Sequence, residues 1–425
     1  MAAAELALSR STPTEAGHCV EAGLAQVLRL ADGPSRQSLE LSLLLARANA
    51  LLPLKGYNAP ETVAALTAAK RVLVGIGVDL QRFSVLNGLC LANYMAAQME
   101  AALALARQIV EVADRQDDTT YRLIGYRLLG TIQFFMGRQR EALVSLQQAE
   151  QYRDPSRQKM LSYRFGYDPG LAVMCYKIWT LLFLGLHDQA AQVSKQVRDE
   201  LPGHGHAPTV AICNFFADVW PELLLGDFEA CELHSAELIA YCANKMEQFR
   251  LLGSIYHALA RAAREPTQDN IAAIYTAIAA ERQSGSRVEE SYYGSRLAEA
   301  LLAAGDVVGA RTALQEAFAF AFVEQSGERF WLADLHRVAG QISLKRPEPD
   351  WARAEACFRQ AIEIARSREA RFLELRAATD LAQLWRDTGS NSDPRVLVEP
   401  ILTEIEGGET MRDVRKARSL LAEFT

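Results

Sequence analysis

Along most of the chain apolar residues recur at i, i+3, i+4 and i+7, and no stretch alternates Val, Ile and Thr with polar residues at period two. The first pattern lays an apolar stripe along one face of an α-helix; the second would have marked half-buried strands. Alanine, the best helix former, is abundant throughout. The pattern predicts helices of about 15–20 residues separated by very short breaks. Helices joined this closely pack as antiparallel hairpins. Each hairpin buries one face alone and needs neighbours to bury the other. The expected fold is all-α.

The breaks repeat. GRQREA begins at Gly137, GLHDQA at Gly185, GDFEAC at Gly226 and GDVVGA at Gly305. Five residues after each glycine stands a small residue: Ala142, Ala190, Cys231 or Ala310. AQMEAA, from Ala97, keeps the offset with alanine in the glycine's place. Counted from position 97 the spacings are 40, 48, 41 and 79 residues, the last close to two periods. Glycine takes positive φ at the end of a helix without steric cost. The small residue lets the next helix pack close. A recurrence of this kind marks a solenoid of helix pairs. The expectation is one solenoid over residues 1–425, a right-handed superhelix of about ten or eleven antiparallel pairs. Its repeat is irregular around 244–291, and capping helices are expected over about 393–425.

Tyr126, Leu129, Gly130, Gly137, Ala142, Leu146 and Ala149 fall at the spacing of a tetratricopeptide repeat, closed by Pro155. Leu297, Ala298, Gly305, Ala310, Leu314 and Ala317 repeat most of it, and Ala354, Phe358 and Ala361 its second-helix half. The chain resembles the tetratricopeptide family, although its period exceeds the consensus of about 34 residues. The stretches SRSTPTEAGHCVEAGLAQVL (9–28), LLPLKGYNAPETVAAL (51–66), FGYDPGLAVMCYKIWTLLFLGLHDQA (165–190) and AEACFRQAIEIARSREARFLELRAATDLAQLWRDTG (354–389) follow in a familiar order. Together they resemble the C-terminal helical-repeat region of bacterial multidomain signalling proteins. In those proteins a class III nucleotide cyclase or winged-helix domain precedes a P-loop ATPase module, and the repeats follow. The similarity spans roughly residues 5–424 and departs at REPTQDN, around Pro266. The resemblance implies a regulatory arm, with the cyclase and ATPase chemistry on other domains.

Composition narrows the choices. Of the 425 residues 50% are apolar and 23% charged, an ordinary globular balance. A net charge of −7 argues against a dedicated nucleic-acid surface. The apolar run Ile178–Leu186 is nine residues, against about 20 for a membrane span. The opening MAAAELALSR lacks a basic start and carries Glu5, so no signal peptide is read and a cytoplasmic location is expected. The seven cysteines are scattered without C-x-x-C spacing and read as small buried hydrophobes.

Catalytic motifs are missing from the sequence: it has no G-x-x-x-x-G-K-[ST], no G-x-S-x-G and no H-E-x-x-H. Asp168-Pro169 reads as an N-cap followed by the first helical residue, and Gly185 as the end of that helix. The alternative is an anion site at the same helix start. His204 and His206, with Cys213 nearby, could be metal ligands, but the Gly/Pro-rich LPGHGHAP reads as a solvated loop. His257 and His336 read as ordinary helical histidines. Pro221, inside the apolar pattern 215–225, predicts a kink or restart beside Trp220.

Function is therefore sought in the groove. Counting back from each turn glycine places Asn87, Tyr94, Arg127, Thr131, Trp179, Trp220, Tyr292 and Glu299 at concave-facing offsets. Aromatic and arginine side chains are the usual anchors of interfaces. Trp179 and Trp220, at matching offsets, read equally as inter-repeat core. The expected role is a non-catalytic module that binds a protein or peptide in its groove, without cofactor or metal, and contacts neither nucleic acid nor membrane. A free-standing adaptor is one alternative. The other is an enzyme on an α/α toroid, a ring of hairpins around an acidic central pocket.

Overall fold

The computed structural model describes residues 13–27, 29–55, 59–73, 79–243, 246–322, 326–409 and 411–423. Among these residues the protein is all-α. Two helices, α1 (Pro13–Val27) and α2 (Pro34–Lys55), lead into α3 (Pro60–Leu73). Next come α4 (Asp79–Met95), α5 (Met99–Gln116), α6 (Thr119–Phe135) and α7 (Gln139–Glu150). A 3-10 turn (Pro155–Arg157) and the short α8 (Gln158–Phe165) lead to α9 (Pro169–Phe183) and α10 (His187–Glu200). The first helix of the fifth pair is broken: α11 (Ala207–Asn214) runs through a π-turn (Phe215–Val219) into α12 (Trp220–Leu225), which pairs with α13 (Phe228–Cys242). Then follow α14 (Glu247–Arg264), α15 (Gln268–Gln283), α16 (Glu290–Ala303), α17 (Val307–Phe322), α18 (Leu332–Leu344), α19 (Trp351–Ser367), α20 (Arg371–Thr388), α21 (Pro394–Glu404) and α22 (Arg412–Ala422).

From α2 onward the described helices form nine antiparallel pairs, with α1 and α22 flanking them. That is fewer than the ten or eleven expected, because the stretches 151–168, 284–289 and 326–331 serve as connections. The first helices of the pairs are the more deeply buried: nearly every residue of α9 is enclosed, whereas α10 exposes its polar face. The turns are built as the sequence pattern requires. Gly137, Gly185, Gly226 and Gly305 have φ of +74°, +80°, +82° and +86°. Ala97 occupies the equivalent place at φ +56°, a left-handed conformation that costs an L-residue energy. Ala142, Ala190, Cys231 and Ala310 are all buried at the crossing points.

Asp168 caps α9 by accepting from the Gly170 and Leu171 N–H groups at 2.7 and 3.2 Å. The anion-site alternative fails here because the cap carboxylate already occupies the helix start. His204 is buried, not solvated. Its Nε2 lies 3.1 Å from Asp168 Oδ2 and 3.3 Å from the Ser162 hydroxyl, tying the loop to the cap. At Pro221 the chain inserts the π-turn one residue ahead, and the Trp220 N–H donates to the Phe215 carbonyl. The extra residue in the turn absorbs the interruption that proline imposes.

The superhelix is wound until successive turns touch. The Arg287 N–H donates to the Met95 carbonyl and the Met99 N–H to the Ser326 carbonyl. The Phe135 carbonyl accepts from Arg329 and Phe330 N–H groups. His187 N–H donates to the Glu406 carbonyl, while Glu406 N–H donates to that of Gly185. The hairpin turns of the first half thus seat in the connections that enter the pairs about five further along. Between them the axis is filled with rings. Trp179 stacks on Trp220 with centroids 3.8 Å apart and planes 16° from parallel. Phe134 meets Phe330 at 5.6 Å, Phe183 meets Trp331 at 5.9 Å, and Trp331 meets Tyr292 at 4.7 Å. Each such side chain contributes about 1.5–3 kcal/mol through burial.

This packing corrects three groove assignments. Trp179, Trp220 and Tyr292 are fully buried and present no surface to a partner. Concave-facing offsets imply an exposed groove only while the superhelix stays open. Here the second turn covers them. Beside the break at Pro221, Trp220 is buried and stacked on Trp179.

Candidate functional site

Two hollows flank the aromatic core among the described residues. The first is a pocket of about 270 Å³. Its walls come from α4 (Tyr94), α6 (Arg127), α9 (Tyr176), the π-turn (Phe216) and α14 (Phe249), and its floor from Glu281 on α15 and Glu289 before α16. Tyr94 and Tyr176 join hydroxyl to hydroxyl at 3.1 Å. Arg127 is 4% exposed. Its Nη2 donates to the Tyr167 hydroxyl at 2.9 Å and its guanidinium lies over that ring at 5.2 Å. Its Nε is buried without a partner.

The floor is acidic. Glu281 is 3% exposed, and its Oε2 is buried with no hydrogen bond. Burial pushes its carboxyl up to about 7, against a bond from Ser286 that pulls the other way. Glu289 accepts from the Tyr256 hydroxyl at 2.6 Å. Burial, with the nearby Glu328 adding to it, pushes Glu289 up to about 8. Glu328, just behind, accepts from the Glu289 and Ser291 N–H groups at 2.9 and 3.2 Å and from the Ser291 hydroxyl. Burial raises it to about 7.

The second hollow is a cleft of about 500 Å³ along α16, α18, α20 and α22. Three arginines and three acids interlock in it. Arg337 donates through Nε to Asp334 at 2.6 Å, through Nη1 to Asp380 at 3.0 Å, and through Nη2 to Glu299. Arg376 reaches Asp334 at 2.9 Å and Glu299 at 3.3 Å. Arg296 reaches Glu299 at 2.7 Å, and Lys416 closes on Asp380 at 2.6 Å. Burial acts to raise Asp334, but Arg337, Arg376 and Arg296 outweigh it and hold the carboxyl far below the usual range. Arg296 lies over the Trp331 ring at 4.9 Å, so the network rests directly on the aromatic core.

Of the residues read as groove, the structure brings Tyr94 and Arg127 together in the pocket. Glu299 belongs to the cleft, about the core from them. Thr131 is buried at 1% exposure and Asn87 is half-buried; neither lines either hollow. Glu281 and Glu289 were missed. A signal for Glu281 existed: with Ile271, Ile274 and Ile278 it completes a run at spacings of three, four and three, a charge on the apolar stripe. Among the described residues no group of three or more His, Cys, Asp or Glu is placed to hold a metal. No helix among them is long and apolar enough to cross a membrane.

No protein-family profile and no curated sequence matches the chain. Solved structures do. A Rap protein complexed with competence and sporulation factor is 11% identical, with a TM-score of 0.54 over 91% of this chain and 94% of that one. The Cut9 subunit assembly Cut9–Hcn1 of the APC/C is 13% identical, with a TM-score of 0.51 over 99% of this chain and 74% of that one. At such identities the likeness defines the fold alone: the chain is a tetratricopeptide-like α-solenoid.

Proposed function

We propose that this chain is a non-catalytic, partner-binding regulatory module and that a short segment of a protein partner binds in the aromatic-walled pocket. The observation that carries the reading is the pocket itself: an apolar enclosure between superhelical turns with polar atoms left unpaired on its lining. Binding hollows usually combine such walls with a few placed polar groups. The unpaired Arg127 Nε suits a main-chain carbonyl of the bound segment. A fold neighbour solved in complex with competence and sporulation factor supports the reading. The resemblance to cyclase- and ATPase-linked repeat regions supports a regulatory arm of such a protein. An in-frame cyclase or P-loop coding segment upstream of Met1 would bear that out, and its absence would favour an adaptor.

The acidic floor also invites the toroid-enzyme alternative. Acid–base chemistry needs two groups whose environments push their pKa values apart. Burial pushes Glu281 and Glu289 the same way, and Glu289 is tied to Tyr256. The binding reading is therefore preferred. It is tested by screening a random peptide array against the wild-type chain and against Ile212→Trp, which fills the pocket with an indole. Peptides that bind the first and not the second are expected. If no peptide depends on the open pocket, the proposal fails.

A further inference from the structure

Glu281 and Glu289 depart from the way this molecule treats its other buried acids. Glu290 lies between Arg282 and Arg287, Glu374 between Arg366 and Arg371, and Asp334 between Arg337 and Arg376. Glu328 instead collects two N–H groups and a hydroxyl. Among the described residues neither Glu281 nor Glu289 makes an ion pair. The arginines nearest in sequence, Arg282 and Arg287, are both spent on Glu290, and Arg127 is held on Tyr167. An acid buried without a cation is costly, more so when one of its oxygens has no hydrogen bond. Both residues line the pocket of about 270 Å³.

We infer that the pocket receives a positively charged group carried on an apolar body, with Glu281 and Glu289 as its anionic floor and Tyr94, Tyr176, Phe216 and Phe249 as its walls. This rests on the partner-binding reading and adds the charge of what is bound. A lysine, an arginine or an amino-terminal amine flanked by an apolar side chain has this chemistry. Aromatic walls favour such a cation as well as the apolar part. The cation supplies the ion pair that the floor lacks and the hydrogen bond that Glu281 Oε2 lacks.

The inference makes affinity depend on pH. Glu281 is faced by the Ser286 hydroxyl and by Glu247 of α14; Glu289 is faced by Tyr256, Tyr293, Glu328 and Glu281. Across the pocket stand Arg127, Tyr94 and Tyr176. With carboxyls pushed up to about 7 and about 8, Glu281 is about half protonated and Glu289 mostly protonated at neutral pH. A cation favours the ionised form, so binding releases protons and weakens as pH falls through these values.

The test titrates the full chain calorimetrically with phenethylamine and with its neutral counterpart 2-phenylethanol, at about pH 9 where the floor is ionised. The amine is expected to bind about tenfold tighter or better, the worth of an ion-assisted hydrogen bond. Glu281→Gln, isosteric with the protonated acid, should erase the difference. In the wild type the preference should shrink on going down to about pH 6. Equal binding of the two probes, blocked by Ile212→Trp, overturns the cation but leaves the pocket as a binding site. A preference that is flat with pH, or that survives both Glu281→Gln and Glu289→Gln, also overturns it. Among pocket-dependent peptides, norleucine in place of lysine or acetylation of the amino terminus identifies which group supplies the charge. If neither change nor arginine replacement weakens binding, the cation inference is wrong while the partner-binding reading stands.

Discussion

The aromatic-walled pocket and the arginine-lined cleft flank one ring-filled core, yet they treat buried charge in opposite ways. In the cleft Asp334 is held ionised by Arg337 and Arg376, and Glu299 and Asp380 are paired as well. In the pocket Glu281 and Glu289 make no ion pair among the described residues and are pushed toward protonation by burial. A network whose acids are matched by cations spends its electrostatics on itself and ties helices together, although Arg296 Nε and Nη2 have no hydrogen-bond partner. An open one keeps its electrostatics for something that arrives. The cleft therefore reads as structure and the pocket as a site, although the cleft is the larger hollow.

The strongest way to break this contrast is to remove an acid from each. Asp334→Ala leaves Arg337 and Arg376 buried with only Glu299 as a shared partner, and should cost about 3–5 kcal/mol in denaturant unfolding. A neutral result would mean the cleft is not an interlock. Ala142→Leu tests the repeat geometry between the regions. Ala142 is fully buried, and its backbone carbonyl lies 3.1 Å from where a Cβ on Gly130 would stand, so the added bulk should cost about 1–3 kcal/mol by overpacking. An unchanged melting midpoint would remove Ala142 from the helix crossing.

The pH dependence sharpens the comparison further, since the two regions have opposite signs. The floor acids have folded-state values raised above the ordinary 4.5, to about 7 for Glu281 and about 8 for Glu289. Their contribution is complete below 4.5 and is lost as pH rises through the raised values. Asp334 is depressed below 3.8, so its contribution is present above that value and is lost only as pH falls through the folded-state value. Glu281→Gln should therefore raise the melting midpoint at about pH 8 and leave it nearly unchanged at about pH 5. A loss of stability at the higher pH would show that the carboxylate has a cationic partner. The smallest effect is expected at the seam between turns. Arg140 and Glu369 pair at 2.7 Å, but their side chains are 58% and 43% exposed, so Arg140→Ala should cost about 0.2–1 kcal/mol. A larger loss would make this exposed pair a principal clasp of the superhelix.

Local features were legible from the sequence because they depend on a few neighbouring residues. The apolar period gives helices, the turn glycines supply positive φ, and Asp168-Pro169 starts a helix by chemistry confined to four residues. Of the residues read from the offset rule, Tyr94 and Arg127 line the pocket and Glu299 lines the cleft. The rule could not separate them from Trp179, Trp220 and Tyr292, which occupy comparable offsets and end in the core.

What the sequence by itself determined is an all-α series of hairpins, their turns and the inward face of each first helix. Whether that face meets water was decided only by the tertiary structure. Each pair turns slightly on the last, and the sum of those small rotations, over about five pairs, brings the Gly185 turn onto Glu406 and the Phe135 turn onto Phe330. No local pattern encodes that sum. It closed the groove over the tryptophans, joined the arginines of three helices into a network, and left Glu281 and Glu289 without one.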